Sequence, residues 1–138
     1  MERLTDSQTW IVVFDKAFGG IKWWHFFLHP RFRHVFLVKD NRGYCLMVNS
    51  MSQALCIKEY PNSLCDFIQQ ELAQNPTAIL QYTVHYHSHY RPSPIEPITC
   101  VSVAKRILGI RTRLFTPKRL YHELIRAGAV VIKPYSIT

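Results

Sequence analysis

Three residue types that together form thiol-based hydrolytic sites occur in separate stretches of the chain: His34, Asn49 and Cys100. A thiol becomes a nucleophile when it is partly ionised, when a base stands beside it and when a third group orients that base. Cys100 follows Thr99, a common helix-capping residue, and a helix N-terminus favours thiolate over thiol through its partial positive charge. The unpaired backbone N–H groups at a helix N-terminus can also donate hydrogen bonds to a developing oxyanion. These residues therefore indicate nucleophilic cleavage of an amide.

A predicted β-hairpin brings His34 and Asn49 together. The hairpin consists of two apolar strands and a turn, 33–39, 40–43 and 44–50. With the turn centred on Asn41 and Arg42, paired residue numbers sum to 83, so we expect His34 directly opposite Asn49, with Cβ atoms about 5 Å apart. The Asn amide would then accept a hydrogen bond from one ring nitrogen, which leaves the other ring nitrogen facing the thiol. A shift of one residue would move Asn49 to the other face of the sheet.

The two strands carry a resemblance to a known family. Their sequences are His34-Val-Phe-Leu-Val and Tyr44-Cys-Leu-Met-Val-Asn49-Ser50, joined by a turn that contains glycine. They resemble the strands that bear histidine and asparagine in papain-like cysteine peptidases. In papain the order is Cys, His, Asn; the order His34, Asn49, Cys100 resembles the circularly permuted members of the NlpC/P60 superfamily, in which the nucleophile helix comes last. The resemblance covers residues 33–109.

This resemblance implies an α+β, permuted papain-like fold and a cysteine peptidase or amidase acting on a peptide or on peptidoglycan. It implies that Cys100 attacks, that His34 serves as base and then as acid, and that Asn49 orients His34. It implies no cofactor. The chain departs from the family pattern at two points. Ile98-Thr99-Cys100-Val101 replaces the Asn-Cys-Glu motif of the lecithin:retinol acyltransferase branch, and no Gln stands a few residues before Cys100 as an oxyanion donor.

Each of the three residues also fits a purely structural role. Cys100 would share a helical face with apolar residues, namely Val103, Ala104 and Ile107, and buried thiols are common. A backbone carbonyl would satisfy His34, and Asn49 would begin a turn. The alternative function is therefore a non-catalytic virion or assembly protein on a papain-like scaffold.

Cys65 is the second candidate nucleophile, because it also lies near a predicted helix start. Asp66 follows it, and a neighbouring carboxylate raises a thiol pKa. Its helical spacing from Ile68 and Leu72 favours a place in the core. Cys45 would share the face of His34, and we expect it in the core as well.

A metal site is the alternative interpretation of His85, His87 and His89. Their alternation would place three imidazoles on one face of a strand, a spacing that can bind zinc. No Asp or Glu occurs between them and Glu96. We therefore favour a solvated histidine face and predict no metal ion and no cofactor.

The strands and helices that must position these residues are predicted from hydrophobic periodicity and from the residues that begin and end each element. The 138 residues and 48% hydrophobic content predict a single globular domain, residues 1–138. The pattern indicates an α+β fold with an antiparallel sheet of about five strands and two to three helices. The predicted strands are 10–14, 33–39, 44–50, 54–60 and 77–90, with a short candidate at 130–132. The predicted helices begin at Ser63, Thr99 and Thr116 and end near Gln74, Gly109 and Ala127.

Charge and cysteine use suggest partners and compartment. The net charge of +8 favours anionic partners, including nucleic acid, but the basic residues form no run. An aromatic cluster at 23–27 suggests contact with a virion component or another protein. Four cysteines without a Cys-x-x-Cys motif indicate reduced thiols, and we expect no signal peptide and no membrane span. Segments 99–110 and 116–121 are similar to small phage and prophage proteins, which implies the cytoplasm of a bacterial host or a virion.

Overall fold

One antiparallel sheet carries three helices in the computed structural model, which describes residues 7–15, 34–51, 54–85, 100–110 and 116–134. The elements are β1 (Ser7–Asp15), β2 (His34–Asn41), β3 (Tyr44–Met51), β4 (Ala54–Tyr60), α1 (Leu64–Ala73), β5 (Ala78–His85), α2 (Cys100–Leu108), α3 (Pro117–Arg126) and β6 (Val130–Lys133). The predicted α+β class is confirmed. The sheet has six strands in the order β4-β3-β2-β1-β5-β6, against about five expected, because β6 pairs with β5.

The central strand β1 is apolar on both faces because helices cover the sheet on both sides. All five residues from Trp10 to Phe14 are buried. Those that alternate onto one face join the α2–α3 cluster, which includes Val12, Phe14, Val35, Leu37, Val101, Leu120 and Leu124. Those on the other face join the α1 cluster, which includes Ile11, Val13, Phe36, Val38, Cys45 and Phe67. A strand covered on both faces shows a continuous apolar run rather than alternation.

Side-chain caps and a glycine define the helix bounds close to where the sequence predicts them. The Ser63 side chain accepts a hydrogen bond from the Asp66 N–H at 3.2 Å, and Thr116 accepts one from Arg119 at 3.4 Å. Gly109 follows α2 with φ +72°, a left-handed conformation that glycine adopts without strain. Thr99 lies outside the described residues.

The β2–β3 turn is centred one residue later along the chain than predicted, on Arg42 and Gly43 instead of Asn41 and Arg42. Arg42 and Gly43 both have positive φ, 54° and 88°, which is the pattern of a two-residue hairpin turn. Asn41 therefore pairs with Tyr44, and paired residue numbers sum to 85. The predicted sum of 83, and with it the direct pairing of His34 and Asn49, is wrong. Because the shift is two residues, every side chain stays on its predicted face.

Candidate functional site

His34 and Asn49 are joined by a side-chain hydrogen bond despite the shifted register. His34 Nε2 lies 2.6 Å from Asn49 Oδ1. The β2–β3 ladder ends at the pair Leu37 and Val48, so the two residues extend past its last pair. They are diagonal neighbours on one face, a spacing that long side chains can bridge. The prediction that this hairpin brings the His34 imidazole and the Asn49 amide together is confirmed. The predicted direct pairing of the two residues is wrong.

This hydrogen bond determines which imidazole nitrogen can act as a base. An amide oxygen can only accept a hydrogen bond, so the neutral ring carries its proton on Nε2. Nδ1, the nitrogen nearer the main chain, then carries the lone pair. The ring also lies against Phe36, with centroids 6.3 Å apart and planes tilted by 34°. Asn49 and Phe36 together restrict the orientation of the imidazole.

Cys100 begins α2, and three backbone N–H groups lie beside its sulfur. The N–H groups of Val35 and Val101 hydrogen-bond to the thiol, and the N–H of Cys100 itself lies beside it. The helix lies over β2 and β3 because it buries one apolar side there, formed by Val101, Ala104 and Leu108. The partly buried Cys100 packs against the same cluster. The first turn of the helix thus places two of its backbone N–H groups beside the sulfur.

The Cys100 sulfur contacts the backbone of the residue that follows His34. The peptide nitrogen of Val35, which binds the sulfur, is bonded directly to the carbonyl carbon of His34. Strand alternation directs the His34 ring to the α1 side of the sheet, whereas Cys100 packs on the α2–α3 side. The imidazole and the thiol therefore lie on opposite faces of β2, linked through the His34–Val35 peptide, at the end of the sheet where the β2–β3 ladder has stopped.

Burial controls the ionisation of the candidate nucleophile. It raises the pKa of the Cys100 thiol above its ordinary value of 9.0, and the backbone hydrogen bonds from Val35, Val101 and Cys100 act in the opposite direction without cancelling it. The sequence-based expectation that the helix start favours the thiolate is therefore wrong for the net effect, because desolvation raises the thiol pKa by more than the backbone hydrogen bonds lower it. At neutral pH the resting sulfur carries its proton.

The two other thiols considered in the sequence, those of Cys65 and Cys45, lie in other parts of the fold. Cys65 is exposed on α1, where Phe67 is buried and Leu72 is 40% exposed, so the predicted core position of Cys65 is wrong. The helix turns by 100° per residue, and its buried side is set by Leu64, Phe67 and Ile68. Cys45 is fully buried, as predicted, in the α1 cluster.

The metal and aromatic predictions fall mostly outside the described residues. His85 ends β5, whereas His87, His89 and the aromatic cluster at 23–27 are not described. Within the described ranges no group of three or more His, Cys, Asp or Glu side chains is placed to hold a metal ion. The described part of the chain also contains no helix with the length and apolarity needed to cross a membrane.

Two features near the site were missed at the sequence level. The Val35 N–H is a main-chain group, and no residue type signals its role. Leu55 and Ile57 lie on β4, and they remain 55% and 59% exposed. Their alternation with Cys56 and Lys58 was visible in the sequence and would have shown that they share one face.

The chain was also compared with known proteins. No protein-family model, no curated protein and no solved structure matches it. The resemblance to permuted papain-like enzymes therefore stays a prediction, and the geometry of His34, Asn49 and Cys100 carries the functional argument.

Proposed function

We propose that this protein is a cysteine hydrolase that cleaves an amide bond in a peptide or in peptidoglycan. Cys100 is the nucleophile, His34 the general base and acid, and Asn49 the residue that orients His34. One observation carries the proposal: Asn49 Oδ1 accepts a hydrogen bond from His34 Nε2 at 2.6 Å, one residue from the backbone N–H that binds the Cys100 sulfur. Three stretches distant in sequence thus converge on one end of the sheet.

The Nε2–H tautomer of His34 gives each ring nitrogen a separate role. Because Nε2–H is bound to Asn49, the lone pair lies on Nδ1, the ring nitrogen nearer the main chain where the sulfur is held. The raised thiol pKa favours a neutral thiol in the resting enzyme. His34 accordingly removes the thiol proton during attack, as a general base, rather than holding a preformed ion pair.

The reaction then proceeds in two stages. The Cys100 sulfur bonds to the substrate carbonyl carbon as its proton passes to His34 Nδ1, and the C–N bond breaks as that proton moves to the leaving amine. Water attacks the resulting thioester and gives a proton to Nδ1. The C–S bond breaks, the carboxylic acid leaves, and Nδ1 returns the proton to the sulfur. The N–H groups of Cys100 and Val101, which lie beside the sulfur, would donate hydrogen bonds to the oxyanion.

Turnover by matched cysteine variants tests the proposal. We expect the wild-type protein to release free amines from a peptide mixture or from purified peptidoglycan, and Cys100→Ala to abolish the release. Cys65→Ala is the control, because Cys65 also lies in the first turn of a helix but is exposed and far along the chain from His34. Equal release by wild type and Cys100→Ala would reject the proposal.

A non-catalytic role on the same scaffold is the second candidate. The observation that favours it is the burial of Cys100, which raises its thiol pKa as burial does for inert core cysteines. Under this alternative, Cys100→Ser retains full biological function and the sulfur reacts with electrophiles independently of His34. Cys100→Ser and a substitution of His34 therefore distinguish the two candidate functions.

A further inference from the structure

Two exposed aliphatic residues extend the sheet surface that carries Cys100. Val48 pairs with Leu37 on one side and with Ile57 on the other, so Leu37, Val48 and Ile57 form one cross-strand row. Leu37 and Val48 are 1% and 7% exposed, whereas Ile57 is 59% exposed. The helix α2 covers β2 and β3 and leaves the edge strand β4 open. The apolar row thus continues beyond the helix.

Leu55 lies two residues along β4 from Ile57, at the end of the sheet where Cys100 is held. Because β4 runs in the same direction as β2, continuing the Leu37–Val48–Ile57 row by two residues along each strand brings Leu55 to the level of Val35, whose N–H binds the Cys100 sulfur. Since the β2–β3 ladder ends at Leu37 and Val48, at least two strand spacings, about 10 Å, separate Leu55 from Val35. An extended peptide advances about 3.3 Å per residue, so a side chain roughly three residues from a carbonyl at Cys100 reaches Leu55.

We infer that the hydrolase proposed above selects substrates with a large aliphatic side chain about three residues from the scissile amide, bound by Leu55 and Ile57. The inference rests on the proposed function. It commits to an extended peptide as the occupant, because the exposed pair is continuous with the surface under the nucleophile and lies within the reach of such a chain. Leu55 and Ile57 are specificity-determining residues in this account, and they take no part in the chemistry.

Peptidyl vinyl sulfones measure this preference without knowledge of the natural substrate. The thiol adds to the vinyl β-carbon, the α-carbon takes up the proton, and mapping by mass spectrometry identifies Cys100 as the modified residue. We expect a probe with Leu three residues from the reactive group to modify Cys100 about tenfold faster than the same probe with Ser. Moving Leu next to the reactive group should remove the advantage.

Variants locate the contact. Leu55→Ser combined with Ile57→Ser should bring the Leu-to-Ser rate ratio close to one. Val130→Ser is the matched control, because Val130 is also 59% exposed on an edge strand but lies at the opposite edge of the sheet. This variant should keep the tenfold ratio. A ratio unchanged by the double substitution overturns the inference.

Two further measurements distinguish failure of the substrate inference from failure of the proposed function. Iodoacetamide is too small to use the β4 contact, so its rate at Cys100 should be equal in wild type and in the double variant. Cys100 that reacts with iodoacetamide in a His34-dependent manner, but shows no preference among the peptidyl probes, overturns only the substrate inference. Cys100 that shows no dependence on His34 overturns the proposed function and the inference with it. Loss of a dimer on Leu55→Ser would assign the patch to a second copy of the chain and also overturn the inference.

Discussion

The imidazole of His34 and the amide of Asn49 lie 2.6 Å apart although their residues do not face each other across the hairpin. Each belongs to the part of its strand that extends past the last β2–β3 pair. The contact is therefore made by side chains and not imposed by the ladder. A side-chain bond between a histidine and an amide oxygen selects the Nε2–H tautomer, which is the property that a base acting through Nδ1 requires.

Removing the Asn49 amide should impair the base without disturbing the nucleophile. In Asn49→Ala we expect the rate of Cys100-dependent turnover to fall about tenfold to a hundredfold, because the imidazole loses both its tautomer preference and its orientation. Turnover against pH is the measurement, with Asn62→Ala as a control at an amide far from the site. An Asn49→Ala enzyme with the wild-type pH profile and rate would show that the 2.6 Å bond has no catalytic role.

The α2–α3 cluster should account for much of the stability of the fold. Leu124 is fully buried and Ile125, its neighbour on α3, is 37% exposed. We expect Leu124→Ala to lower the free energy of unfolding by about 2–5 kcal/mol through lost burial and a residual cavity. Ile125→Ala should change it by less than about 1 kcal/mol. Urea denaturation of both variants makes the comparison, and similar losses would contradict the assigned burial.

The helix caps give a smaller and separate effect. Ser63→Ala removes the acceptor for the Asp66 N–H, and Thr116→Ala removes the acceptor for Arg119. Each should cost about 1 kcal/mol of unfolding free energy. Ser63→Asn and Thr116→Asp keep a capping acceptor and should retain most of the stability. If these variants lost as much as the alanine variants, the caps would not be the cause.

Alkaline pH should destabilise the fold through two buried thiols. Burial, then Asp40, then Asp66 raise the pKa of Cys45 above its ordinary 9.0, and burial raises the pKa of Cys100. A group whose pKa is higher in the folded state contributes stability below its unfolded pKa and loses it as pH rises toward the folded value. We expect the urea midpoint to fall as the pH rises above about 9. Cys45→Ala, compared with exposed Cys65→Ala, should flatten that fall; an identical slope in both would contradict it.

The sequence predicts most of the elements but fails where main-chain geometry decides. Strand β4 and the capped starts of α1 and α3 follow from residue type alone, because caps and apolar runs are local signals. The hairpin register does not, because Arg42 adopts a positive φ that only its turn context determines. The exposure of Cys65 depends on which side of α1 packs on the sheet, and two sides of that helix carry apolar residues.

The candidate site divides in the same way. The meeting of His34 and Asn49 was predictable because a register error of two residues preserves the face of every side chain. The hydrogen bond from the Val35 N–H to Cys100 was not, because it depends on how α2 packs across β2. Nor was the dominance of desolvation over the helix N-terminus, since burial depends on the completed core.

The dependence of Cys100 reactivity on His34 tests the central claim most directly. The measurement is the rate of iodoacetamide modification at each cysteine at pH 7, followed by mass spectrometry in wild type and in His34→Ala, with exposed Cys65 as the internal standard. If His34 is the base for Cys100, the Cys100 rate should fall at least tenfold in His34→Ala while the Cys65 rate stays constant. Equal Cys100 rates in the two proteins would contradict the account.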